Sequence, residues 1–160
     1  MVLEAGYPNT TGFRKVVKAT ILVKKKPGLS DADFISHYNT KHAEMAKEVL
    51  MKHGCITYSL VSIYLSHMPK HQDSCKLSQT YHLQRDRNIM QDMLKGKANL
   101  LPYDAICTFV FPDYMAFARF MYDPASKALT GDHDNFMVEE EMKMMVGDEY
   151  MVIEDGKMVA

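Results

Sequence analysis

The residues of this chain best suited to chemistry are histidines and their neighbours. An imidazole titrates near neutrality and can take a proton at one moment and return it at the next. His42 comes one helical turn after Tyr38, on a stripe shared with Phe34, Met45, Ala46 and Val49. An imidazole so placed is either a base facing a hollow or a core histidine satisfied by a backbone carbonyl. Tyr38 is either a donor to a substrate oxygen or a packing aromatic. His37 precedes His42 by five residues, which on a straight helix puts it about 140° around the axis. The pair should therefore not share a metal, and His37 is read as a substrate contact. His82 falls on the polar side of a strand with Thr57 and Ser59, either in a cleft or in solvent. Asp104 is placed to orient a histidine or to cap a strand end. His133, in Gly131-Asp132-His133-Asp134, has acidic neighbours that should keep it protonated if buried; the other reading is a solvated loop. Tyr58 and Phe136 complete the expected binding surface. His42, His82 and Asp104 are the catalytic candidates. No HExxH, GxSxG, Walker loop or dinucleotide glycine fingerprint is present, which argues against zinc, acyl-serine, nucleotide and NAD chemistry.

The elements that must carry these groups follow from turn chemistry and period. Residues 1–14 lack a period and read as an irregular arm. Lys15 to Lys25 alternates, with Val17, Ala19, Ile21 and Val23 on one face, and is the first strand. Pro27-Gly28 makes a turn, Ser30 and Asp33 have capping-box spacing, and one helix runs on to a stop at Gly54. Cys55 to Leu60 is a second strand. A covering helix over 84–99 uses Met90, Met93 and Leu94; Tyr103 to Phe111 is a third strand. A second helix opens at Pro112-Asp113 and buries Tyr114, Phe117, Ala118 and Met121. Phe136 to Met145 reads as an acidic helix, Glu149 to Glu154 as the fourth strand, and residues 156–160 as a tail.

Residues 61–79 fit neither period. With them removed, Leu60 meets Thr80 and Ile56, Tyr58, Leu60, Tyr81 and Leu83 share one face without a slip of register. The 19 residues correspond to 57 bases, starting with a GT codon and ending with a residue that CAG encodes. They read as an in-frame retained intron or a recent insertion that interrupts the second strand, or else as a long native loop. His67 and His71 inside them have the spacing of a metal pair, but in such a segment no metal site is expected.

Two βαβ units give a ferredoxin-like βαββαβ plan: an α+β domain with a four-stranded antiparallel sheet and both main helices on one face. The other face would show Phe, Tyr, Ile or Val from every strand, so a homodimer is expected. The totals agree with one domain. In 160 residues the net charge is −1, which gives no basic field for nucleic acid. The Lys24–Lys26 run charges a strand end. No apolar run is long enough for a membrane and no signal-peptide core is seen, so a soluble, cytoplasmic protein is expected. The three cysteines have no zinc spacing and are read as reduced thiols. Fourteen methionines either line a pocket for flat ligands or fill gaps in the core.

The run Leu22 to Ser30, followed by Phe34, His37-Tyr38 and His42, resembles the signature of the EthD-domain family of dimeric α/β-barrel proteins. Asp104 is similar to the family's aspartate opening the third strand, and Phe136 with the closing strand fits its last element. The likeness spans roughly residues 15–155, with no place for 61–79. It is nearest to fungal members of aromatic-polyketide pathways, described as dehydratases or decarboxylases. It implies a cofactor-free, metal-free lyase acting on a small polyketide-derived ring system. Two alternatives stay open: a cofactor-independent anthrone-type oxygenase or polyketide cyclase of the same fold, and a binding partner without catalysis.

Overall fold

The computed structural model describes residues 13–59, 80–81, 83–154 and 157–158. Its centre is β1 (Phe13–Val23), whose Val17, Ala19 and Val23 alternate inward and are buried. β1 pairs antiparallel with β4 (Ala105–Phe111) on one side and β5 (Lys143–Tyr150) on the other. β2 (Thr57–Ser59) and β3 (Thr80–Tyr81) both pair with the outer edge of β4, giving the order β2-β4-β1-β5 with β3 also against β4. This is the antiparallel, ferredoxin-like α+β arrangement. A short hairpin of β6 (Ile153–Glu154) and β7 (Lys157–Met158) stands apart from it.

The helical layer starts where β1 ends. Gly28 takes a left-handed φ of 82° in the Lys26–Leu29 turn, and Ser30 Oγ accepts the Asp33 amide at 3.1 Å. α1 (Asp31–Ser36) passes through a π turn, His37–His42, into α2 (Ala43–Lys52), and Gly54 at φ 68° ends it. Phe34, Tyr38, Ala46, Val49 and Leu50 from this helix pack on Ala19, Val23, Cys107, Phe109 and Phe111 of the sheet. α4 (Tyr114–Tyr122) is capped by Asp113, which accepts the Ala116 amide. α5 (Ser126–His133) follows at once. Asp123 ties their junction to the end of α2, accepting from Lys52 Nζ and His53 Nε2 at 2.6 Å each. Those hydrogen bonds, Lys52 first, hold its carboxyl well below the usual range.

Several expectations change. β1 begins at Phe13, two residues before the expected start at Lys15, and the rest of the expected arm, residues 1–12, lies outside the described residues. α3 (Gln84–Leu94) leaves Met90 and Met93 exposed; it is anchored through Arg87, which is buried against Asp104. α4 buries Ala116 and Phe120, one position away from the expected stripe. The acidic helix expected at 136–145 is a single 3₁₀ turn at Glu139–Glu141, and β5 starts at Lys143 instead of Glu149. There the pairing of Met144, Met145 and Val146 with Ile21, Thr20 and Ala19 overrides local helix preference. The open sheet face is also less aromatic than expected. Its middle is aliphatic and polar, with Thr20, Leu22, Ile106, Thr108 and Val110 partly buried, Met145 exposed, and Lys18 Nζ bonded to Glu149 at 2.9 Å.

The register along β4 bears on residues 61–79, which themselves lie outside the described residues. Ser59 faces Thr108 and Thr80 faces Ile106, so one place, opposite Cys107, separates the two pieces. β2 and β3 thus occupy the edge as a single strand would. A variant joining Leu60 directly to Thr80 is expected to keep the circular-dichroism spectrum and to gain up to about 2 kcal/mol of stability from the shorter connection. Loss of folding in that variant would show that the segment is integral, and message that always includes it would reject the intron origin.

Candidate active site

The π turn is the local feature that assembles the site. The Ala43 amide bonds to the Tyr38 carbonyl, an i to i+5 pairing, so this turn holds one residue more than an α turn. That extra residue narrows the offset expected for a straight helix and brings His37 and His42 toward one carboxylate. Asp132, near the end of α5, accepts from His42 Nδ1 at 3.1 Å and from His37 Nε2 at 3.0 Å. Asn135 Nδ2 adds a third bond at 2.9 Å. Burial works to raise the Asp132 carboxyl, but hydrogen bonds from Asn135, His37 and His42 outweigh it and leave it below its ordinary value. An ionised carboxylate only accepts, so Nδ1 of His42 carries the hydrogen and Nε2 keeps the lone pair.

His42 is 7% exposed and lines an apolar cavity of about 260 Å³. Burial pushes its pKa down to about 4, against the opposing pull of Asp132. It is therefore neutral at physiological pH, with its lone pair on Nε2. No other described group bonds to Nε2. The imidazole expected to face a hollow does so.

The cavity lies between the sheet and helices α2, α4 and α5. Tyr38 and Tyr58 line it together with the buried Cys107. Burial raises that thiol far above its ordinary value, so Cys107 serves as a neutral packing group and not as a nucleophile. Tyr58 stacks on Phe109 with centroids 5.0 Å apart. Phe136, 1% exposed, is the hub of the aromatic wall, 4.8 Å from both Tyr38 and His42 and stacked on His37 at 5.4 Å. Met121, Met137, Met142 and Met144 supply much of the remainder.

The other expected residues separate cleanly. His133 lines the cavity with its ring 5.4 Å from that of His42. It is the last residue of α5 and not part of a loop. Its acidic neighbours do not keep it protonated as expected: burial pushes its pKa down, with Glu139 opposing. Asp104 is away from the cavity lining. Its carboxylate accepts from Arg87 Nη1 and from the Lys25 amide at 2.9 Å each, which ties α3 to the end of β1. The histidine-orienting part expected of Asp104 is played by Asp132. His37 is a step behind the cavity, bonded to Asp132, and contacts the site through it. His82 lies outside the described residues. Glu139 and Asp132 were missed as site residues, although Asp132 stood beside His133 in the sequence. Among the described residues no group of three or more His, Cys, Asp or Glu side chains is arranged to hold a metal ion, and no helix is long and apolar enough to cross a membrane.

Comparison with known proteins agrees with this frame. The family model for the EthD domain matches residues 26–140. The decarboxylase claH of Passalora fulva is 26% identical over 156 residues, covering 95% of this chain and 89% of that protein. The dehydratase aurZ of Gibberella zeae is 26% identical over 156 residues, covering 96% of this chain and 87% of that protein. Among solved structures, an EthD family protein of Bacillus halodurans aligns over 84% of this chain and 98% of its own, at 18% identity and a TM-score of 0.49. With its residues 26–140 matched by that family's model, this chain belongs to the EthD domain family.

Proposed function

We propose that this protein is a cofactor-independent lyase that removes water or carbon dioxide from an aromatic polyketide intermediate, with His42 as the proton-transfer group. The observation that carries the reading is the imidazole itself. Its Nδ1 is fixed on Asp132 and its Nε2 is unclaimed at the wall of an apolar cavity. Such a base can remove a proton beside a ketone, in a cavity whose wall also carries the Tyr38 and Tyr58 side chains. The aromatic and methionine walls suit a flat ring system. Both named relatives are lyases by their names, one a decarboxylase and one a dehydratase.

Assembly as a homodimer belongs to the same proposal. It is supported by the open sheet face, where Leu22 of β1 sits opposite Ile106 of β4 and Val110 follows on the same face beyond Thr108. Ile106→Asp should yield a monomer by light scattering; an unchanged mass in both forms would reject this face as the interface.

His42→Ala should lower turnover by about 10²- to 10⁴-fold. Binding of 1-naphthol, followed by tyrosine fluorescence, should change by less than about threefold if the aromatic walls carry it. Wild-type protein that binds the naphthol but turns over neither a β-hydroxy ketone nor a β-keto acid of that ring size would be a carrier. Asp132→Asn should cost roughly a hundredfold or more, because the amide no longer selects the Nδ1–H tautomer.

The pH profile gives a second check. Protonating His42 removes the base, so kcat/KM should fall on the acid side only as pH approaches about 4. In Asp132→Asn the limb should move lower still, since Asp132 favours the protonated ring. An acid limb at the ordinary 6.5 would mean that another histidine is responsible.

A further inference from the structure

The cavity contains a second imidazole beside a carboxylate. His133 Nδ1 is buried with no hydrogen-bond partner, and Glu139 Oε1 stands 3.7 Å from it, just beyond bonding distance. Both residues line the cavity, and the His133 ring lies 5.4 Å from that of His42. The two pairs are built alike, with Nδ1 turned toward an acid, but they differ in environment. Asp132 is sealed, with 4% of its side chain exposed, whereas Glu139 is 39% exposed and in contact with solvent. One pair is closed, the other open.

Resting on the lyase reading above, we infer that His133, positioned by Glu139, is the acid that protonates a departing hydroxyl, and that the reaction is dehydration of a β-hydroxy ketone and not decarboxylation. In this step Nε2 of His42 takes the proton from the carbon beside the carbonyl, and the C–H electron pair passes into the enolate. The enolate pair then forms the C=C bond as the C–O bond at the β carbon breaks with its electrons on oxygen. His133, in the protonated minority form that Glu139 favours against burial, gives that oxygen a proton, and water leaves. His42 ends protonated and His133 neutral. The starting state returns when His42 loses its proton and His133 regains one from solvent by way of Glu139.

Two observations favour this division. Elimination needs a base and an acid in one cavity, and the environments of the two rings set them apart. Burial lowers both rings, His42 to about 4, and Glu139 is the neighbour that most favours the protonated form of His133. Decarboxylation would also bring a carboxylate between these rings. It would face Glu139, with Asp132 behind His42, and the cations beside it among the described lining residues would be a protonated His133, already paired with Glu139, and the exposed Lys127. A neutral hydroxyl meets no such repulsion.

The test uses three probes on one ring frame. 3-Hydroxy-1-tetralone loses water to give 1-naphthol, 1-tetralone-2-carboxylic acid loses carbon dioxide to give 1-tetralone, and 1-tetralone in D₂O reports proton removal at C2 alone. The wild-type chain should form naphthol at least tenfold faster than it releases carbon dioxide. Glu139→Gln and His133→Asn should each slow naphthol formation by about tenfold or more, so that the ratio of C2 exchange to dehydration rises by at least that factor. Faster decarboxylation than dehydration, or an unchanged ratio in both variants, overturns the inference while leaving the lyase reading intact. Absence of exchange, dehydration and decarboxylation in the wild type removes the lyase reading itself, and this inference with it. If both variants fail to fold, Glu139→Asp, with its carboxylate drawn back from the ring, must still raise the ratio.

Discussion

The carboxylate of Asp132 is the interaction on which the site depends. Three donors converge on it from two places in the fold: His37 and His42 from the long helix, Asn135 from just beyond α5. Asp132 is 5% exposed, and an unpaired charge at that depth would be costly. The donors are what allow it to stay ionised. In return, it fixes the His42 tautomer and docks α5 against the helix before it. The π turn serves this contact. A plain α-helix through residues 37–42 would send one of the two imidazoles elsewhere, and the irregularity is maintained by what it delivers to Asp132.

Around that contact the packing is arranged for dryness. Phe34, Tyr38 and Phe136 close off the helix side, and Phe109, Phe111 and Phe120 close off the sheet side. An imidazole held among these rings has little water to stabilise its cation, so it remains neutral and basic. The junction at Asp123 has the complementary task at the far end of α2. There Lys52 and His53 anchor the turn from which α5 departs, and so set where Asp132 and His133 arrive.

Much of this was legible in the sequence, and the failures have physical causes. The Ser30–Asp33 cap, the glycine stop at Gly54 and the alternation of β1 are local, and each appears where its chemistry put it. His42 was legible because a titratable ring on an apolar stripe needs a reason. The register across residues 61–79 was legible because a period of two leaves no freedom to slip. The π turn was not, since no short-range signal in His37–His42 announces an extra residue. Asp132 was hidden by its place beside His133 in a run of polar residues. Only the tertiary approach of α5 distinguishes it from Asp134. Of the two readings of Asp104, the strand-end cap is the one its contacts match, since it accepts the Lys25 amide and Arg87. A buried acid at a strand end looks alike in sequence whether its partner is a histidine or an arginine.

The methionines divide along the same line. Met51, Met93, Met115 and Met158 are exposed away from the cavity, while Met121, Met137, Met142 and Met144 line it, with Met137 buried and Met121 and Met144 also open to solvent. A thioether is soft and apolar only while it is reduced. Oxidation to the sulfoxide turns it into a strong dipole with an acceptor oxygen. In this cavity that oxygen would compete for the tyrosine hydroxyls and admit water beside His42. A wall of this kind keeps its apolar character only in surroundings reducing enough to hold these thioethers unoxidised.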